Sequence, residues 1–166
     1  MGDPTPFDLT GGCSMALIHG APITASIEVA RPAPEAFAYV IDPSTMSEWQ
    51  AGCVSGHMDG APTHVGSKCT TVRRIGGRER EVVTTITEYD PPLRWADRGS
   101  SGPIRAIVGV RVEPLADPSR SRVTIELDFT GHGIGRLLVP LVVRRQAASE
   151  MPENMERLKQ RLEASP

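Results

Sequence analysis

From residue 23 onward, apolar and polar residues alternate with a period of two over most of the chain, and helical spacing appears only in a short stretch after the first strand and in the last stretch. Ile23, Ala25, Ile27 and Val29 alternate with Thr24, Ser26 and Glu28, the pattern of a strand with one buried face. Arg31-Pro32-Ala33-Pro34 ends it. Pro34 suits a first helical turn, where its missing N–H costs nothing, and Glu35 complements the positive end of the helix dipole. Ala36, Phe37, Val40 and Ile41 then predict a short amphipathic helix that stops at Asp42-Pro43. A second short helix follows, with Ser44 as its N-cap and Glu48 and Trp49 inside it.

Six further strands are expected, over residues 54–58, 67–75, 79–89, 93–98, 103–115 and 123–130. The breaks between them carry turn chemistry: Asp59-Gly60-Ala61-Pro62, the hairpin dipeptide Gly76-Gly77, Asp90-Pro91-Pro92, the glycines of 99–102, and Asp117-Pro118-Ser119. The last strand has the cleanest alternation, with Val123, Ile125, Leu127 and Phe129 on one face and Thr124, Glu126, Asp128 and Thr130 on the other. Glu126 and Asp128 therefore read as solvated. Between Val82 and Tyr89 both parities carry apolar and polar residues, so neither face is marked as the inner one. Gly131, Gly133 and Gly135 form a joint into a final helical region at 140–164. There Leu141, Ala148, Met151, Met155, Leu158 and Leu162 mark an apolar face, opposite Glu153, Glu156, Arg157, Gln160, Arg161 and Glu163. Pro152 falls inside this helix. It either bends the rod and shapes the mouth of a cavity, or begins a separate helix after a break.

One strand, two short helices, six meandering strands and one long helix make an α+β order. Short turns favour antiparallel neighbours, and a seven-stranded antiparallel sheet with one apolar face needs a cover. The long amphipathic helix is the available cover. A twisted sheet curls around such a rod and leaves room for a cavity between them.

This order, together with several local strings, resembles the START/Bet v 1-like (SRPBCC) superfamily, and within it the polyketide cyclase/dehydrase and lipid-transport family. The strings are Ile27-Glu28-Val29, Ala33-Pro34-Glu35-Ala36-Phe37, Asp42-Pro43, Trp49, Val65-Gly66, Glu88-Tyr89-Asp90-Pro91-Pro92, Leu158-Lys159 and Leu162-Glu163. The resemblance spans about residues 22–164. It implies a helix-grip fold: a seven-stranded curved antiparallel sheet wrapped around a long C-terminal helix, with two short helices after strand 1 and a deep apolar cavity. It implies no single reaction, because such folds host carriers, hormone-binding proteins and ring-closing enzymes alike.

With 166 residues the chain is long enough for one domain with a substantial core. We expect a loose arm at 1–20, where prolines and glycines show little periodicity, and the START/Bet v 1-like domain at 21–166. The formal net charge of −2 argues against a general nucleic-acid binder. The clusters Arg73-Arg74, Arg78, Arg80 and Arg144-Arg145 read as solvated strand edges. Cys13, Cys53 and Cys69 form no C-x-x-C pair, and His19, His57, His64 and His132 have no metal-binding spacing, so no metal and no cofactor are expected. A basic-then-apolar leader and a run of 18 apolar residues are both lacking, which predicts no integral membrane segment and a cytoplasmic location. The expected partner is a small hydrophobic molecule, with the protein a monomer or homodimer.

For such a ligand the candidate binding residues are Trp49, Tyr89, Trp95, Met151 and Met155. Indoles and flexible thioethers suit an apolar guest of uncertain shape, but the methionines more often serve as core filler, Trp49 better suits packing the short helices onto the sheet, and Trp95 suits core packing as well as a guest. Trp95 shares parity with Leu93 and is expected to point inward, and Met155→Trp is expected to fill the cavity. No catalytic residues stand out. An enzyme would have Tyr89, Glu88, Thr85, Arg73 and His57 to draw on, but these form no recognisable acid–base pair. The leading expectation is binding or transport of a lipid or polyketide-like molecule. The alternative is a polyketide cyclase, aromatase or dehydratase acting in the same cavity. A protein–protein regulator using the outer face of the sheet has no specific support.

Overall fold

The computed structural model describes residues 21–61, 63–75, 77–99, 104–131 and 143–164. Its elements are β1 (Ile23–Val29), α1 (Ala33–Ile41), α2 (Met46–Trp49), β2 (Cys53–Asp59), β3 (Lys68–Ile75), β4 (Arg78–Asp90), β5 (Arg94–Gly99), β6 (Ile104–Pro114), β7 (Ser121–Gly131) and the long helix α3 (Arg144–Ala164). The expected arm at 1–20 lies outside the described residues, as do Cys13, His19, His132, Gly133, Gly135 and Leu141.

All seven strands form one antiparallel sheet in the order β1-β7-β6-β5-β4-β3-β2. Strands β2 to β7 are a meander, and β1 pairs with β7, Ile23 opposite Leu127 and Val29 opposite Ser121. The two short helices carry the chain from one edge of the sheet to the other. Between β3 and β4 the connection is a tight hairpin, with Gly77 at φ 76°, a conformation that glycine adopts without steric cost. This is the helix-grip arrangement anticipated above.

Local chemistry explains the ends of the elements. Pro34 stands in the first turn of α1 with Glu35 beside it. Ser44 does not cap α2. The N-cap position is Thr45, without a side-chain cap bond, and the Ser44 hydroxyl instead donates to Asp42 Oδ1 at 2.7 Å. The Ser44 backbone N–H reaches the same oxygen at 2.9 Å, a local Asx turn that competes with capping. This turn packs closely on β2: a Cβ at Gly56 would stand 2.6 Å from the Pro43 carbonyl oxygen.

Helix α3 runs unbroken through Pro152, so Pro152 does not begin a separate helix. Its C-terminal half packs solidly. Met155, Leu158 and Leu162 are buried in a cluster with Val29, Phe37 and Val123. Arg31 Nε donates to the Leu162 carbonyl, and the Ala30 N–H donates to Glu163 Oε1 at 3.1 Å, which fastens the last turn of the helix to the end of β1. Ala148, expected on the apolar face, is exposed, and Ala147 takes the inward position one turn before Met151. Asp128 is not solvated either: it is mostly buried in an ion pair with Arg144 at the start of α3.

Candidate functional site

The concave face of the sheet follows from the register. Trp95 lies opposite Tyr89 on β4 and Val110 on β6, and Val110 lies opposite Ile125. One step along, Asp97 lies between Ile86 and Val108, and Val108 opposite Leu127. Directly opposite residues of an antiparallel pair share a face, so these rows all point inward. On β4 a bulge between Ile86 and Glu88 accommodates Thr87 and reverses the parity. That is why Val82, Thr84 and Ile86 face inward and Tyr89 does too, although its number has the opposite parity.

Between this face and the N-terminal half of α3 lies a cavity of about 400 Å³. Its sheet wall is largely apolar: Val82, Trp95, Val108, Val110, Ile125 and Leu127, with Phe129 at one end. Val40, Met46 and Trp49 close the side formed by the short helices, and Ala147 and Met151 form part of the roof. The Ala51 N–H donates to Asn154 Oδ1 at 2.9 Å, which ties the roof to the turn after α2.

The polar side chains of the sheet wall are Thr71, Arg73, Arg74, Thr84 and Asp97, and the helical side adds Gln50, Gln146, Glu150 and Asn154. Asp97 is 5% exposed. Thr84 Oγ1 donates to its Oδ2 at 2.7 Å, whereas its buried Oδ1 has no hydrogen-bond partner among the described residues. Burial pushes its carboxyl up to about 6, against the lowering effects of the Thr84 hydroxyl and the Arg73 charge. Leaving a buried acceptor without a partner costs about 1–3 kcal/mol, more for a charged group. Arg73 also lines the cavity, its Nη2 donating to Gln50 Oε1 at 2.7 Å. The Trp49 and Trp95 indole N–H groups are buried without an acceptor among the described residues. Cys69, also on the wall, is an inert thiol, pushed up to about 11 by burial and by the nearby Asp97 charge.

Of the five expected binding residues, the structure brings Trp49, Trp95 and Met151 together on this wall. Met155 is not on it: one turn further along α3 it is buried among core side chains. Tyr89 stands at the end of the sheet under α1, its ring 6.5 Å from that of Phe37, in a separate open groove with Met58 and Pro92. Leu93 does not share a strand face with Trp95, because it precedes β5 in a turn and is exposed. Among the residues considered for catalysis only Arg73 reaches the cavity. Thr85 pairs with Arg98 on the convex face, Glu88 approaches Arg94 there, and His57 is exposed beside Asp59. Asp97 was missed by sequence reasoning. The signal for it was parity, since it follows the inward Trp95 by two residues on an uninterrupted strand. Among the described residues no cluster of His, Cys, Asp and Glu is placed to hold a metal ion.

The profile of the family described as "Polyketide cyclase / dehydrase and lipid transport" matches residues 21–163. The chain belongs to this family. Solved structures agree on the fold. A START superfamily protein from Mycobacterium smegmatis superposes with a TM-score of 0.67 at 18% identity, over 86% of this chain and 97% of that one. The protein TTHA0849 from Thermus thermophilus gives 0.66 at 16% identity, over 85% and 96%. The di-domain ARO/CYC StfQ of the steffimycin biosynthetic pathway gives 0.62 at 15% identity, over 84% of this chain but 44% of its own length. No curated protein matches this chain.

Proposed function

We propose that this member of the polyketide cyclase/dehydrase and lipid-transport family binds a small hydrophobic molecule, lipid or polyketide-like, between the sheet and the first half of α3. The observation that carries this reading is the cavity of about 400 Å³ with a largely apolar wall. A void of this size and lining is typical of a small-molecule site, and it is far larger than packing defects in ordinary cores. The buried free thiols of Cys53 and Cys69 accord with a reducing compartment such as the cytoplasm. Titration with an apolar panel, followed by tryptophan fluorescence and native mass spectrometry, tests the reading. Saturable 1:1 binding supports it, and no binding across the panel refutes it.

A second reading, ring closure or dehydration of a bound polyketide, is favoured by one observation. Asp97 stands on the cavity wall with a carboxyl raised to about 6, near the range in which a general acid or base works at neutral pH. A bound poly-β-carbonyl compound returned unchanged after long incubation would exclude catalysis on that compound, and a cyclised or dehydrated product would establish it.

A further inference from the structure

We propose that the cavity takes an amphipathic acid, its apolar body against the sheet wall and its carboxylate held by the Arg73 guanidinium. This assignment rests on the ligand-binding reading and narrows it to a class of molecule.

Three observations carry it. First, Arg73 faces inward. It lies opposite the buried Cys53 on β2, and it follows Cys69 and Thr71, two residues of the cavity wall, at the same parity on β3. Its charge is felt at Cys53, Cys69 and Asp97, where it favours the ionised form of each. Second, that charge is left without a counter-charge. Gln50 Oε1, which accepts from Arg73 Nη2 at 2.7 Å, is neutral, and no carboxylate among the described residues lies within ion-pair distance of Arg73. The two carboxylates of the lining are engaged elsewhere, Asp97 Oδ2 by Thr84 at 2.7 Å and Glu150 Oε1 by Gln146 at 2.9 Å. Arg74, the other cation of the lining, is paired with Glu79 at 3.3 Å. A guanidinium presents a fork of N–H donors that matches a carboxylate, and Gln50 occupies only one nitrogen of it. Third, the register sets a second arginine, Arg80 on β4, directly opposite Arg73, so both belong to the concave face. Like charges facing each other across a strand pair repel, and an anion beside them relieves the repulsion. This arginine pair stands at the β3–β4 hairpin end of the face, and the row of Trp95, Val110 and Ile125 lies toward the other end. The charged head and the apolar body of an amphipathic guest therefore have separate places.

The test uses the full-length protein at pH 7 and three probes with one chain: decanoate, 1-decanol and decylamine. Trp49 and Trp95 both line the cavity, so tryptophan fluorescence reports occupancy, and calorimetry gives the affinities. We expect decanoate to bind at least about tenfold more tightly than either other probe, the margin of one charge-assisted hydrogen-bonded pair. In Arg73→Gln the affinities for decanoate and 1-decanol should come within about threefold of each other, because no cation is left to tell them apart. Arg73→Met, which keeps an apolar stem should the glutamine variant not fold, should show the same levelling. Equal affinities for decanoate and 1-decanol in the parent, tighter binding of decylamine, or a preference for the acid that survives in a folded Arg73 variant would overturn the assignment while leaving the apolar cavity reading intact. If none of the three probes binds, the ligand-binding reading falls, and this assignment with it.

Discussion

Met151 and Met155 stand one turn apart on the same face of α3, yet Met151 lines the cavity while Met155 is locked into the packed core. Pro152 lies between them. The helix thus has two roles along its length: its first half roofs a void, and its second half holds the sheet. A Trp at position 155, first expected to fill the void, would instead overpack the core. We predict that Met151→Trp abolishes binding of an apolar ligand while the far-ultraviolet circular dichroism stays native. Met155→Ala should destabilise the protein by about 2–5 kcal/mol, the usual cost of a large-to-small change in a core, and leave affinity nearly unchanged. Denaturant melts and ligand titrations on both variants check the division.

Asp97 gives the protein an unusual pH dependence. Its carboxyl rises from an ordinary value near 3.8 to about 6 on folding, so between these values the folded chain holds a proton that the unfolded chain releases. The contribution of this group to stability is therefore fully present below pH 3.8 and is lost as the pH rises through 6. At pH 8 the burial of the charge costs of order 3 kcal/mol. Asp97→Asn should accordingly be more stable than the parent at pH 8, with the advantage shrinking toward pH 4. Denaturant midpoints at both pH values measure it; an advantage that grows on acidification would contradict the assignment.

Pro152 removes the N–H that would bond the Ala148 carbonyl, in the turn that roofs the cavity. Pro152→Ala should restore that bond and stabilise the helix by up to about 3 kcal/mol. Amide hydrogen exchange over residues 145–151 should slow in the variant. Should this segment exchange equally slowly in both proteins, Pro152 would not loosen the roof.

Gly56 is fixed by close approach. Its missing side chain leaves room for the Pro43 carbonyl, and an added Cβ would also stand 2.9 Å from the Pro43 Cβ. Because backbone occupies the space, Gly56→Ala must push the α1–α2 turn away from β2. A loss of about 1–3 kcal/mol is expected in a urea melt, the usual penalty for overpacking.

The sequence by itself determined the framework. Alternation placed the seven strands, glycine and proline set the turns between them, and the spacing of Met151, Met155, Leu158 and Leu162 set the buried stripe of the last helix. These signals are local, because a side chain's face follows from its position within its own element. Tertiary structure decided which of the inward residues meet a void and which meet other atoms. The bulge at Thr87 turned Thr84 and Tyr89 to the same face, β-sheet register brought Thr84 against Asp97, and the short helices placed Tyr89 in a groove apart from the cavity. Periodicity says only that a residue turns its back on water. Whether it then finds a neighbour depends on where distant elements dock, and no stretch of the chain carries that information alone.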